Sequence, residues 1–126
     1  MILKPIKWNE VENYPIEFTP DQPYSNILPI SIQKDEVEYG IVVLKTLSER
    51  VVEAQLFIKD EFRGKTLTKS FWKQIYSLVF NVLGFKEFVA ITENPLMANI
   101  LKRENWTEVD SNHWFITKDK VRWYNE

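Results

Sequence analysis

The run VVEAQLFIKDEFRGKTLTKSFWKQIYSLVFNVLG, residues 51–84, changes its hydrophobic period part-way along. From Val51 to Ile58 the apolar residues Val52, Ala54, Leu56 and Ile58 alternate with their neighbours, the two-residue period of a strand with a buried face. From Leu67 onward Phe71, Ile75, Leu78 and Val82 recur at helical spacing, which predicts an amphipathic helix from about Thr66 to Val82. Lys65, Lys69 and Lys73 lie off that stripe, and Gly84 stands where a left-handed residue would close the helix. Between strand and helix comes Phe62-Arg63-Gly64-Lys65-Thr66-Leu67-Thr68. A helix N-terminus leaves its first amides unpaired and carries partial positive charge, so this loop is placed to hold an anion, above all a phosphate. Read alone, the same residues could be a solvated turn relaxed by Gly64.

Outward from this run, the pattern is short strands upstream and an alternation of strand and helix downstream. Ile27 to Gln33, Tyr39 to Leu44 and Val51 to Ile58 follow one another closely, as in an antiparallel meander. Pro29 suggests an edge position or late pairing for the first of them. Phe88 to Thr92 is a short apolar strand, and Asn94-Pro95 then starts a second helix, with Asn as cap and Pro at its first position. Met97, Ala98 and Leu101 would be its buried face. Trp106 to Val109 and His113 to Thr117 close the series around the turn Asp110-Ser111-Asn112. The order is β-β-β-α-β-α-β-β: an α/β domain with a mixed sheet, helices covering its faces, and a right-handed crossover between Val51 and Thr92. Residues 1–26 are a Pro-rich lead-in that carries at most a short strand near Ile2 and a helical turn around Asn9 to Asn13.

Composition narrows the chemistry. The chain has 126 residues, one domain's worth, with 16 Lys plus Arg against 18 Asp plus Glu. A net charge of -2 gives no basic excess for a nucleic-acid backbone. There is no Cys, so no disulfide, thiolate metal site or cysteine nucleophile, and the single histidine, His113, reads as a turn residue. No apolar run is long enough to span a membrane and the start lacks the layout of a secretion signal, so a cytoplasmic protein is expected. Aromatic residues make up 14%, with 5 Trp, a rich core for a small domain.

The run from Val52 to Lys69 resembles the acyl-CoA loop of the GNAT (Gcn5-related N-acetyltransferase) superfamily, whose pattern Arg/Gln-x-x-Gly-x-Gly/Ala follows a strand and opens a helix. The element order from Ile27 to Thr117 is similar to that of the family, and Asn94 with the following helix and Asn105-Trp106 resembles its Asn-x-x-Ala…Leu-Tyr…Gly-Phe segment. About three-quarters of the chain is covered, judged by element order. The resemblance implies a GNAT-like fold. It also implies a site for acetyl-CoA or another acyl-CoA, with Arg63, Gly64, Lys65, Thr66, Leu67 and Thr68 at the pyrophosphate, Ile58 and its neighbours at the pantetheine, and Asn94 at the second helix. Some members hold a carboxylate base on the equivalent strand, which points to Glu53. An exposed strand residue is the plainer reading of Glu53.

The departures bear on function. Thr66 and Thr68 stand where the family prefers Gly and Gly/Ala, filling space the phosphate would use, although a Thr hydroxyl could itself donate to it. Leu101 stands where many members place a Tyr general acid, and the lead-in is too short for the helices that wall the acceptor pocket. The expectation drawn from these losses is a non-catalytic binding or assembly protein, similar in size and trimming to GNAT-like proteins of bacteriophages, including head-assembly families, and so resident in host cytoplasm or virion. The alternative is an acetyl-CoA-dependent N-acetyltransferase acting on a small amine or protein amine by direct attack. Trp8, Trp123 and Tyr124 are candidates for a protein partner or self-association.

Overall fold

The computed structural model describes residues 1–7, 10–11, 14 and 26–122. Seven strands form one sheet in the order β1-β2-β3-β4-β5-β7-β6. They are β1 (Ile2–Pro5), β2 (Ile27–Lys34), β3 (Val37–Thr46), β4 (Val51–Ile58), β5 (Glu87–Ile91), β6 (Thr107–Asp110) and β7 (His113–Thr117). All neighbouring pairs are antiparallel except β4 and β5, which the crossover through helix α1 (Lys69–Tyr76) makes parallel. Helix α2 (Pro95–Arg103) connects β5 to the last hairpin. This is the mixed, mostly antiparallel α/β sheet with two helices of the GNAT-like fold. The expected strand near Ile2 is β1, whereas Asn9, Glu12 and Asn13 of the expected helical turn lie outside the described residues.

Alternation along the strands sends Ile30, Ile32, Val42, Leu44, Val52, Phe88, Trp114 and Ile116 to one face, where they form the main core with Phe71, Trp72, Ile75 and Tyr76 of α1 and Leu101 of α2. Both helices therefore cover the same face, in place of the expected cover on each. The other face carries a smaller cluster of Ile27, Ile41 and Val43, covered by Val11 of the lead-in. β2 is not an edge strand: β1 pairs with it as far as Pro5↔Ile30, and Ile6 N donates to Pro29 O at 3.1 Å just beyond. Pro29 needs no amide on that side because the partner strand has ended there.

The long helix departs from its even stripe. It begins at Lys69, with Thr68 as the cap: Thr68 Oγ1 accepts from Phe71 N at 3.3 Å. After Tyr76 the chain widens into a π-type turn over Ser77–Val82, where Leu83 N donates to Leu78 O at 2.8 Å. The wider turn rotates the residues after Tyr76 about the helix axis. Val79 and Phe80 are buried and Val82 is 72% exposed, which corrects its place in the stripe. Gly84 closes the element at φ 76°. At the far end of α1 a buried network ties the helices together: Trp106 Nε1 donates to Tyr76 Oη at 2.9 Å, and Tyr76 Oη lies 3.5 Å from Glu104 Oε1. Burial pushes the Tyr76 phenol well above its ordinary range, so it stays protonated as the donor toward Glu104.

Candidate functional site

β4 and β5 share only half their length. Val51 to Ala54 pair with Glu87 to Ala90, and beyond Ala54 and Ala90 the two strands part. Gln55 to Ile58 keep β3 on one side and have no β5 partner on the other. Parallel strands open at the same end, so the loops leaving β4 and β5, and the starts of α1 and α2, converge there. Over the fork lies a cleft of about 640 Å³ between α1 and α2. Its floor and walls are mainly apolar, and Arg63, Gly64, Thr66, Thr92 and Asn94 line it near the diverging strand ends.

The loop is folded about one residue. Phe62 stacks on Tyr39 of β3, ring centroids 4.0 Å apart and planes 4° apart. Its carbonyl accepts from Lys65 N at 3.1 Å and from Thr66 Oγ1 at 3.0 Å. Gly64 takes φ 83°, a left-handed conformation that costs an L-residue strain, and the space where a Cβ would stand is open. Among the described residues the backbone N–H groups of Gly64, Thr66, Leu67 and Ser70 make no hydrogen bond. Arg63 adds a cation whose ion pair to Asp60, at 3.0 Å, joins side chains 72% and 88% exposed. Such a pair is worth little, so the guanidinium can exchange Asp60 for a stronger anion.

The structure separates the residues singled out in the sequence. Ile58, Arg63, Gly64, Thr66, Leu67 and Asn94 all line the cleft. Lys65 and Thr68 do not: Lys65 is exposed, and Thr68 is spent on capping α1. Thr66 is 1% exposed with its hydroxyl proton committed to Phe62 O, so it braces the loop instead of donating to a phosphate. Asn94 Oδ1 accepts from Leu96 N at 2.9 Å, capping α2 with Pro95 at its first position. Glu53 alternates with Ala54, which lines the cleft, and so lies on the opposite face, paired with Lys45 and Val89. On that face, toward the β2–β3 hairpin, Glu38 accepts from Tyr14 Oη and, at 2.6 Å, from Ser31 Oγ. Burial, then the bond to Glu38, pushes the Tyr14 phenol upward. Trp8, Trp123 and Tyr124 lie outside the described residues, while Trp114 is buried in the main core.

Sequence reading missed Thr92, Leu96, Ile100 and Arg103, all cleft-lining. The signal was present: Leu96, Ile100 and Arg103 fall one helical turn apart, beside the buried edge at Met97 and Leu101. Among the described residues the lining contains no Tyr, Glu, Asp or His.

No family model matches the sequence, and no curated protein matches it. Solved structures do match the fold. A mutant form of the spermidine/spermine N-acetyltransferase SpeG from Vibrio cholerae aligns with TM-score 0.78 and 13% identity over 99% of both chains. A single-site mutant of the Vibrio cholerae spermidine N-acetyltransferase SpeG gives 0.78 at 14% identity over 100% of each, and a chimera of that enzyme with hSSAT 0.75 at 15% over 100% of each.

At these identities the likeness establishes the fold. It also corrects the expectation of a non-catalytic, phage-type assembly protein. The structures named above, which share the fold from end to end, are acetyltransferases, and the cleft that Thr66 was expected to obstruct is open, because its side chain turns to Phe62. No helix among the described residues is long and apolar enough to cross a membrane.

Proposed function

We propose that the protein is an acyl-CoA-dependent N-acyltransferase, with acetyl-CoA as the reference donor. The observation that carries this reading is the fork. Where β4 leaves β5 it offers unpaired strand backbone at Gln55 to Ile58, and directly beyond it the loop offers N–H groups without partners. A thioester donor with a pyrophosphate and an amide-bearing arm needs those two things in that order. Gly64, Thr66 and Leu67 would receive the pyrophosphate with Arg63 beside it, and the free edge of β4 would pair with the arm's amides as an added strand does. When bound, acyl-CoA supplies an activated acyl group, whose transfer to an amine breaks the C–S bond and forms an amide.

The chain's own contribution is positioning. Small residues at the fork, Ala54 and Ala90, leave room for an acceptor to meet the donor there. On this reading the acceptor approaches from the face of Glu53, Gln55 and Phe57, and Glu53 would take the amine proton. Fold neighbours that acetylate spermidine make a small cationic amine the first acceptor to test.

The test is thermal stability with acetyl-CoA. Ligand at a hundred times its dissociation constant adds about 2.7 kcal/mol, and Arg63→Glu should remove most of that gain. Absence of a shift at millimolar acetyl-CoA would refute the reading.

A further inference from the structure

On the face of the sheet away from the helices, register places one row of side chains just below the fork. Lys45 lies opposite Glu53, Glu53 opposite Val89, and Val89 opposite Phe115, and residues opposite one another on paired strands share a face. One step further along, Gln55 on β4 and Ile91 on β5 flank the gap itself. Val89 and Phe115 are half-buried, and Ile91 is 53% exposed. Among the described residues none of these three belongs to either core cluster, so folding leaves the strip they form unused. Single apolar residues on a surface need no explanation, but three joined by register beside a cleft mark a place of contact. Charge is sparse there. Of Glu53, Val89, Gln55 and Ile91, which ring the gap, only Glu53 is ionisable, and Lys45 stands across from it with the opposite charge. Glu87 lies two residues further back on β5 than Val89, and Asp110 lies two strands from β5.

We propose that this strip seats the body of the acceptor, and that the acceptor is a primary amine with one apolar substituent, alkyl or aryl, and not a polyamine. The proposal rests on the acyl-CoA reading above and specifies its acceptor. The nitrogen reaches the thioester carbon through the gap. The C–N bond forms, the C–S bond breaks, the nitrogen's proton passes to Glu53, and CoA leaves as a thiolate that water protonates. The substituent lies back over Val89, Ile91 and Phe115. A fully buried methylene is worth about fourfold, so on a half-exposed strip each added carbon should raise kcat/KM about twofold. A second ammonium group would be desolvated against the same strip with Lys45 close by, which disfavours a polyamine.

The experiment is initial rates at saturating acetyl-CoA with ethylamine, butylamine, hexylamine, phenethylamine or spermidine. The chain has no Cys, so a thiol reagent reads released CoA with no background from the protein. From ethylamine to hexylamine kcat/KM is expected to climb roughly tenfold, with phenethylamine above spermidine. Ile91→Glu should reverse that last order; if the variant does not fold, the series on the parent protein decides alone. A flat alkyl series, or spermidine ahead of phenethylamine, overturns the proposal and leaves the acyl-CoA reading standing. Absence of transfer to every amine, by a protein that still binds acetyl-CoA in calorimetry, overturns it too; a dimer in sedimentation would then give the strip to a second copy. A protein that binds neither acetyl-CoA nor CoA takes both readings.

Discussion

Replacing Gly40 by alanine tests whether the end of β4 is held where the fork needs it. Gly40 sits on β3 opposite Ile58. A Cβ built there would stand 2.2 Å from Phe57 O, 2.9 Å from Ile58 Cα and 3.1 Å from Phe57 C. All three are backbone atoms, so no rotamer change relieves the clash, and β4 must move away from β3 just where it has no β5 partner to restrain it. Overpacking of this kind costs about 1–3 kcal/mol, and a backbone clash belongs at the upper end. With an unfolding entropy of about 2.1 cal/mol/K per residue over 126 residues, a loss of ~3 kcal/mol lowers Tm by roughly 11 °C. Gly84→Ala is the control: its Cβ would meet nothing within 4 Å, so only the left-handed conformation, about 1–2 kcal/mol, is at stake. Scanning calorimetry and urea titration read both. Ile58 lines the cleft, so Gly40→Ala should also weaken acyl-CoA binding, and Gly84→Ala should not. A Gly40→Ala protein within about 0.5 kcal/mol of the parent, the ordinary scatter of harmless surface changes, would refute the close-approach argument.

Thr66→Val keeps the side-chain shape and removes the hydroxyl bonded to Phe62 O, so it should cost about 1 kcal/mol in urea unfolding and loosen the loop, read as faster amide exchange at Lys65, whose N–H shares the Phe62 carbonyl. Tyr76→Phe strips the partner of Trp106 Nε1 and should cost about 1–3 kcal/mol at neutral pH. Because folding raises the Tyr76 pKa, the parent holds that stability below the unfolded value of 10.0 and loses it as pH rises further. The gap between parent and variant should therefore narrow above that pH, and a gap that widens contradicts the burial argument. Glu53→Gln should lower kcat/KM for an amine acceptor by about a hundredfold while acyl-CoA affinity holds, since Glu53 lies on the face away from the cleft. A matching fall in affinity would place Glu53 elsewhere in the mechanism.

The local rules written in the chain were legible wherever one residue or one period decides the outcome. Alternation at Val52, Ala54, Leu56 and Ile58 gave β4 its inward face, Asn94-Pro95 marked the start of α2, and Gly84 marked the end of the α1 element, because capping and left-handed φ depend on a few adjacent atoms. Two features were not legible. The π-type turn at Ser77–Val82 shifts the phase of a stripe that reads evenly in sequence, and only packing of Val79 and Phe80 selects it. The role of Thr66 depends on where the Phe62 carbonyl points, which the stack on Tyr39 sets from a different strand. Set against a family pattern, Thr66 reads as filling the phosphate's space or donating to it, whereas its side chain turns inward to Phe62 O and leaves the amides clear.

By itself, then, the order of residues determined the succession of strands and helices, the caps and the cationic loop between β4 and α1, since each depends on backbone conformation over a few neighbours. The tertiary structure alone decided that β4 and β5 part after Ala54, that both helices share one face, and that Arg103, Phe88 and Trp106 border the same cleft as Gly64. Those outcomes join residues far apart in the chain, and they are set by which surfaces can be buried together, a property that no single stretch of sequence contains.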